Sequence, residues 1–427
     1  MSSVPFSGTG WDHGRMMITE VRSVLLTGPC TDDPWLSVFK QSRTVALIEI
    51  VTSAGVVGVG ETYAGYFFPE SVPLIVDYLR PILINAEAFD GESLDVGLLA
   101  GRLRTCCQYW GRTGLGAAVI SGIEAALIDL RGKLLDLPAH RLLGSDAETP
   151  EWLPAYATGG PSPWPAAQLI EKVDFYLGLG FTAFKVASGY LDSATREEVP
   201  AGSAEAAAEL EASKLELLRD HVGAEVGILL DGHMGHREGP DRWDPATALL
   251  VLDAVAPFRP VFFEEPLAYH DLDGYAELGR RSAVPVAGGE QLSSYAEFLP
   301  FLQREAFAVA QPDAAWLGMI DFVRVARHQQ DRGRSVAPHA WGGGAAVLQN
   351  VHAAFASPNT AIVELPPAAG PLHTELWGDA LELVDGRVRR PDQPGLGVRL
   401  TDTVKERFPF RPGMEEFSSV PGKLMRS

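Results

Sequence analysis

From residue 185 onward, ionisable side chains recur at a spacing that chemistry can use. They are Lys185, Asp231, Glu264, Glu290, Asp313, His339 and Glu364, and from Asp231 on consecutive members stand 23–33 residues apart. Asp231, Glu264 and Glu290 are a run of three carboxylates. Brought to one cavity, three ionised carboxylates repel and need a compensating cation. Donors that are all oxygen favour a hard ion, Mg²⁺ above all. The alternative is that each carboxylate ends a strand and pairs separately with a Lys or Arg. Asp313 and His339 form a second unit. A carboxylate beside an imidazole fixes its tautomer and raises its basicity, which makes His339 a general base. The alternative there is a structural histidine opening the glycine-rich stretch "APHAWGGG".

Each of these residues stands at or just beyond the end of a short apolar stretch. From about residue 152 the stretches read "WLPAYAT", "TAFKVA", "EVGILLDGH", "PVFFEEP", "VPVAGGE", "FAVAQPD", "RSVAPH" and "TAIVELP", with helical patterns between them. One of these, "WDPATALLVLDAVAP", offers Asp244 as its cap and Pro245 at the first helical position. Alternating strands and helices imply parallel strands. Eight of them predict an α/β chain folded as a closed (β/α)8 barrel, a TIM-type barrel whose strand ends converge on one mouth where chemistry occurs. A doubly wound open sheet is the alternative, but no G-x-G-x-x-G follows a first strand. The loop "SGYLDSATREEVPAGSAEAAAELEASK" after the second strand reads as a long polar insertion.

The text before the barrel, residues 1–150, reads as α+β. "MITEVRSVLLT", "RTVALIEIVTS" and "AGVVGVGET" are strand patterns, with a hairpin turn at Ala54-Gly55. "AAVISGIEAALIDLRGKLLDL" is a helix ending near Pro138. The barrel pattern occupies residues 151–365 and then stops. Residues 366–427, with a turn at Asp385-Gly386, read as a segment returning to the N-terminal unit. The formal net charge of −20 argues against nucleic acid or an anionic membrane as partner. Nothing at the N-terminus reads as a secretory signal, and no apolar run is long enough to span a bilayer. Cys30, Cys106 and Cys107 show neither metal spacing nor a disulfide framework, so a reducing cytoplasm is the expected compartment.

"IEAALIDLRGKLLDLPAHRLLG", "FFEEP", "VPVAGGEQLSS", "QPDAAWLGM", "APHAWGGG" and "PGLGV" together resemble the enolase superfamily, in its mandelate racemase/muconate lactonizing enzyme branch. The resemblance implies an N-terminal α+β capping domain, completed by the C-terminal segment, over the barrel mouth. It implies Mg²⁺ on Asp231, Glu264 and Glu290, and a reaction begun by removing the proton α to a carboxylate. It makes His339 and Asp313 the base dyad and sets Glu364 at the substrate carboxylate. Many members carry Lys-x-Lys at the end of the second strand, the second lysine being a base opposite the histidine. Here the text is Lys185-Val186-Ala187, so racemisation is disfavoured and Lys185 becomes an electrostatic partner of the metal-bound carboxylates. Asp231-Gly232-His233 resembles the sugar-acid dehydratases of the galactonate and mannonate type, where the histidine protonates the leaving hydroxyl. His236 reads as loop. The implied activity is dehydration of a sugar acid to a 2-keto-3-deoxy acid. Cycloisomerisation of an anhydro- or lactone-type sugar acid is the nearest alternative, and a non-catalytic sugar-acid-binding protein is the alternative of another class. The implied partners are a small-molecule acid and further copies of the chain in a homo-oligomer. Trp35, Tyr63, Tyr66 and Phe67 from the cap, with Trp316 and Trp341 from the barrel, are the candidates to line the substrate cavity.

Overall fold

The computed structural model describes residues 16–30, 42–84, 89–90, 93–146, 148–159, 166–192, 194, 199, 201–237, 239–367 and 370–413. Three strands come first: β1 (Ile18–Pro29), β2 (Ser42–Thr52) and β3 (Val57–Thr62), antiparallel in the order 1-2-3. β2 is central and buried along nearly its whole length, as its β-branched run requires. The β2–β3 hairpin turns at Ala54-Gly55, where Gly55 takes φ +77 and its N–H donates to the Thr52 carbonyl. Then follow α1 (Ala64–Phe67), α2 (Ser71–Ile84), the short strands β4 (Phe89–Asp90) and β5 (Ser93–Leu94), α3 (Val96–Cys106), α4 (Gly114–Leu135) and α5 (Ala139–Leu142). β3 lies against the backbone of α4. A Cβ on Gly60 would stand 2.3 Å from the Gly122 carbonyl oxygen, so this approach requires glycine.

The barrel strands are β6 (Trp152–Thr158), β7 (Ala183–Ala187), β8 (Gly227–Asp231), β9 (Phe263–Glu264), β10 (Val286–Gly288), β11 (Val309–Ala310), β12 (Ser335–Val336) and β13 (Val363–Leu365). From β6 to β12 each pairs in parallel with the next, and β13 pairs in parallel with β6. A parallel bridge from Val336 to Thr360 joins β12 to the approach of β13 and closes the ring. All eight expected strands are present, and the open-sheet alternative falls. Between them run α6 (Ala166–Gly178), α7 (Ala204–Val222), α8 (Pro245–Val255), α9 (Leu272–Arg281), α10 (Tyr295–Gln303), α11 (Met319–Gln330) and α12 (Gly344–Phe355). Asp244 caps α8 by accepting from the Thr247 N–H, with Pro245 at its first turn. α7 corrects the sequence reading, which set "AEAAAELEASK" in a polar loop. Ser203 caps the helix by accepting from the Ala206 N–H, and Ala207, Ala208, Leu215 and Leu218 form its buried face. Alanine and glutamate are strong helix formers, but an alanine stripe carries little hydropathy, so the periodicity is faint.

The C-terminal segment adds α13 (Pro371–Trp377), β14 (Leu383–Val384), β15 (Arg387–Arg389) and α14 (Asp402–Arg407). Asp385 and Gly386 turn the β14–β15 hairpin, both at positive φ, and β15 pairs antiparallel with the start of β6. Farther on, the Leu396 N–H donates to Asp129 on α4, and Leu26 of β1 bridges to Pro409. The segment therefore meets β1 at Gly370 and Leu372, then the barrel through β15, and returns to β1 at Pro409.

Candidate active site

Tyr156, Ala183, Leu229, Phe262, Ala287, Val309, Ala337 and Ile362 form one buried cluster, a residue from each barrel strand or its immediate flank. Side chains alternate along a strand, so the chain faces inward again two residues later. Those positions are Thr158, Lys185, Asp231, Glu264, Gln311, His339 and Glu364; past β10 the alternation breaks, since Gly289 takes φ +113 and a Cβ there would meet Phe298 of α10. One step along the other strands thus turns an apolar floor into a largely polar ring. Glu290 and Asp313 stand just beyond it, at the ends of β10 and β11.

Lys185 ties the ring together. Its Nζ lies 2.5 Å from Glu264 Oε2, 3.0 Å from Asp231 Oδ2 and 3.2 Å from Glu364 Oε1. Burial works against the ammonium charge, but the three carboxylates outweigh it and hold its pKa well above the usual lysine range. Separate pairing of each carboxylate with its own cation is not what the fold builds, because Asp231 and Glu264 share this one. Ala187, the next inward position on β7, carries no titratable group.

The second unit is the dyad. His339 Nδ1 lies 2.8 Å from Asp313 Oδ2, and Asp313 Oδ1 accepts from the Ala315 N–H and from Asn350 Nδ2, each at 2.8 Å. With Nδ1–H donating to the carboxylate, the neutral ring turns a bare Nε2 toward the cavity. That Nε2 is 3.6 Å from Glu290 Oε2. On the other Glu290 oxygen stands His233, its Nε2 at 3.7 Å and its Nδ1 2.5 Å from Asp231 Oδ1. Glu290 therefore lies between two imidazoles. His233 takes a left-handed φ of +44 and starts a short 3-10 turn, Met234–His236, whose His236 ring lies 5.3 Å from that of His233. Besides Lys185, Glu364 meets the Ala340 N–H, from which its Oε2 accepts at 2.7 Å, and the Thr158 side chain.

The electrostatics describe a cavity short of positive charge. Burial alone would lower both histidine pKa values; the surrounding carboxylates raise them instead, His233 to about 9 and His339 to about 10. Burial and the neighbouring Asp231 push the Glu264 carboxyl up to about 8. Neither Asp231 oxygen nor Glu264 Oε1 makes an aligned hydrogen bond among the described residues. Lys185 and His233 come within ion-pair distance of Asp231, but at poor angles. Buried, unaligned carboxylate oxygens in an anionic cavity suit a hard divalent cation. No three metal-ligating side chains converge on one point among the described residues; Lys185 and the histidines stand against the carboxylates instead.

The cap closes in from the base side. Tyr63, just after β3, has its ring centroid 5.5 Å from that of His339, 5.1 Å from Tyr66 and 6.0 Å from Trp316. Phe67 stacks edge-on against Tyr63, and Trp341 Nε1 donates to the Tyr66 hydroxyl at 2.8 Å. Trp35 lies outside the described residues.

Two buried acids at or beside the site are missed by the sequence reading. Glu61 at the end of β3 accepts N–H bonds from Gly343, Ala345 and Ala346, at 2.6, 3.0 and 3.0 Å, and so fixes the start of α12 just after the His339 loop. Its only signal was a lone glutamate in an apolar strand. Glu265 follows Glu264, and alternation would turn it away from the site. Its φ of +39 breaks the alternation, and Gln291 Nε2 donates to it at 3.3 Å. The signal there was the "EEP" doublet.

Comparison with known proteins fits this architecture. Residues 35–144 match the model of the mandelate racemase/muconate lactonizing enzyme N-terminal domain, and residues 168–404 the model described as enolase C-terminal domain-like. The chain is 28% identical to arabinonate dehydratase of Saccharolobus solfataricus, over 85% of this chain and 90% of that protein. It is 29% identical to 3,6-anhydro-alpha-L-galactonate cycloisomerase of Streptomyces coelicolor, over 83% and 88%. The crystal structure of an L-talarate dehydratase from a Polaromonas species, complexed with Mg and L-glucarate, superposes with a TM-score of 0.75 at 26% identity, covering 92% of this chain and 98% of that one. With the two domain models matched in tandem and the second alone covering more than half its length, the chain belongs to the mandelate racemase/muconate lactonizing enzyme family of the enolase superfamily.

Proposed function

We propose that the protein removes the proton α to the carboxylate of a sugar acid and eliminates the β-hydroxyl as water, leaving a 2-keto-3-deoxy acid. The observation that carries this reading is the asymmetry of the cavity. His339 on Asp313 flanks Glu290 on one side, His233 flanks it on the other, and Ala187 stands where β7 would present a second base. Asp231, Glu264 and Glu290 would hold Mg²⁺, which when bound supplies positive charge to the carboxylate oxygens as the α-carbon gives up its proton. His339 Nε2, neutral once a cation on Glu290 offsets the charge that raises its pKa, takes that proton, and the Asp313 carboxylate supports the imidazolium that forms. The electron pair left at carbon moves into the carboxylate, then returns to expel the β-oxygen. His233 gives that oxygen its proton, so water leaves rather than hydroxide. The enol product gains a proton at carbon to become the keto acid. Lys185 balances the charge of Asp231 and Glu264, Glu364 stands at the substrate carboxylate, and Tyr63, Tyr66 and Trp316 wall the cavity.

Arabinonate, L-talarate/galactarate and D-galactonate dehydratases among the relatives support this substrate class. A second reading, ring-opening cycloisomerisation of an anhydro sugar acid, is favoured by the likeness to the Streptomyces cycloisomerase and needs the same single base and single acid. The same proposal takes residues 1–150 as cap, 151–365 as barrel and 366–427 as the segment completing the cap. It takes the working form as a cytoplasmic homo-oligomer without nucleic acid. In support, net charge is −20, and no helix among the described residues is long and apolar enough to cross a membrane. The test is proton NMR in D₂O over a panel of mono- and diacid sugars. The proposal expects α-proton exchange and keto-acid formation, both lost on chelation and restored by Mg²⁺. A panel that binds without exchange would make the protein a sugar-acid binder instead.

A further inference from the structure

Gln311 lies one residue past the end of β11, between Val309, which belongs to the apolar floor, and Asp313, which holds the base. Alternation carries Gln311 to the same inward side as Val309, and Asp313 reaches His339 from beyond the strand end. The strands flanking β11 are β10, whose end carries Glu290, and β12, whose end carries His339. The backbone is fixed, since the Gln311 N–H donates to the Gly288 carbonyl at 2.9 Å. The side chain is not: it is wholly buried, and neither Nε2 nor Oε1 has a hydrogen-bond partner among the described residues.

The fold treats its other buried carboxamides differently. Gln349 accepts from the Glu61 N–H and donates to the Glu61 carbonyl. Asn350 accepts from the Ala314 N–H and donates to Asp313. Gln329 Nε2 donates to the Phe307 and Ser335 carbonyls. Gln311 alone among the buried ones leaves both ends unmatched. A buried amide without partners bears its full desolvation penalty, and leucine or methionine would fill the same place without it. Stability is therefore no reason for an amide here. Charge is no reason either, because a carboxamide adds none to the ring.

Resting on the functional reading above, the geometry points to Gln311 as a substrate-contacting residue. Its amide lies on the interior face between the carboxylate strands and the base strand, beneath the dyad. An α-hydroxy acid bound there presents a carboxylate oxygen, which only accepts, beside a hydroxyl, which can donate. The Gln311 Nε2–H and Oε1 match that pair, so the residue selects acids that carry an α-hydroxyl.

The experiment replaces Gln311 with Met and, separately, with Leu, both near its volume. Urea midpoints, kcat/KM per folded molecule and the Kd of a non-reacting α-hydroxy acid are measured for each, beside wild type. Loss of a mismatched polar group should leave the midpoint unchanged or raise it. Loss of hydrogen bonds to the acid should lower kcat/KM by roughly 10–100-fold and weaken binding in step. Wild-type kcat/KM and Kd in either variant would overturn the inference, whatever the midpoint does. A wild type that turns over no acid in the panel would instead refute the functional reading and this inference with it.

Discussion

Replacing Lys185 with Met removes the ammonium that Asp231, Glu264 and Glu364 share, in a side chain only 4% exposed. Taking one partner from a buried ion pair costs about 3–5 kcal/mol, and three carboxylates on one cation put this case at the upper end. The loss depends on pH. Burial and Asp231 already hold the Glu264 carboxyl up at about 8 with Lys185 present. Without the ammonium the Glu264 carboxyl rises further above its unfolded value, while Asp231 and Glu364 lose part of what holds theirs low. A carboxyl raised in the folded state is accommodated at low pH, where it is neutral, and loses stability as pH climbs through the window between its unfolded and folded values. The deficit should therefore be present at pH 5, where Asp231 and Glu364 are ionised and miss the ammonium, and greater at pH 9, where Glu264 adds to it. Urea midpoints in EDTA at the two pH values, at unchanged slope, measure it. Excess Mg²⁺ should then recover part of the loss at pH 9, since a ligand at a hundredfold its Kd adds about 2.7 kcal/mol. A variant as stable as wild type at pH 9 in EDTA would show that Lys185 is not the counter-charge of the ring.

The remaining expectations concern the two imidazoles and the cap junction. His339→Asn should lose α-proton exchange and turnover together while the acid still binds, and Asp313→Asn should follow in the same direction; wild-type exchange in the first variant would dismiss the dyad. His233→Asn should keep α-proton exchange in D₂O yet lower keto-acid formation by roughly 10²–10⁴, so that one NMR tube separates two events the wild type couples. Burial lowers the His140 and His352 pKa values to about 4 and about 3, with His352 Nδ1 accepting from the His140 N–H across the packing of α5 on α12. The unfolded chain then binds more protons than the folded one below about pH 6.5, so stability should decline on acidification by roughly 1.4 kcal/mol per pH unit for each histidine. His352→Gln should flatten that slope in urea titrations from pH 6.5 to 4.5, and an unaltered slope would clear the pair of any part in acid sensitivity.

Most of the barrel is legible in the one-dimensional text, and the reason is local. Each strand is a short apolar run ended by a polar residue, and eight repeats of that pattern with helices between leave little choice of topology. The ring residues Lys185, Asp231, Glu264, His339 and Glu364 are readable for the same reason, because period two carries an inward-facing floor residue to an inward-facing rim residue. Asp244 and Pro245 announce their helix by cap chemistry alone. What failed locally was α7, whose alanine-rich face is too weakly apolar to show its period.

Tertiary structure decided everything that depends on pairs distant in sequence. Lys185 could have served one carboxylate or none; only barrel closure, with β13 against β6, brings Glu364 to it alongside Asp231 and Glu264. Glu265 lies in the cavity because a left-handed backbone breaks alternation, which no periodicity reports. Glu61 looks like an error in an apolar strand until the cap meets the start of α12 and its three N–H groups. Tyr63 reads as core or as substrate wall with equal ease, and only the docking of cap on barrel sets its ring against His339. Pattern along a chain fixes which face a side chain takes. Which partner that face meets is set by the closure of the barrel and the fit of the cap, and those are properties of the whole fold.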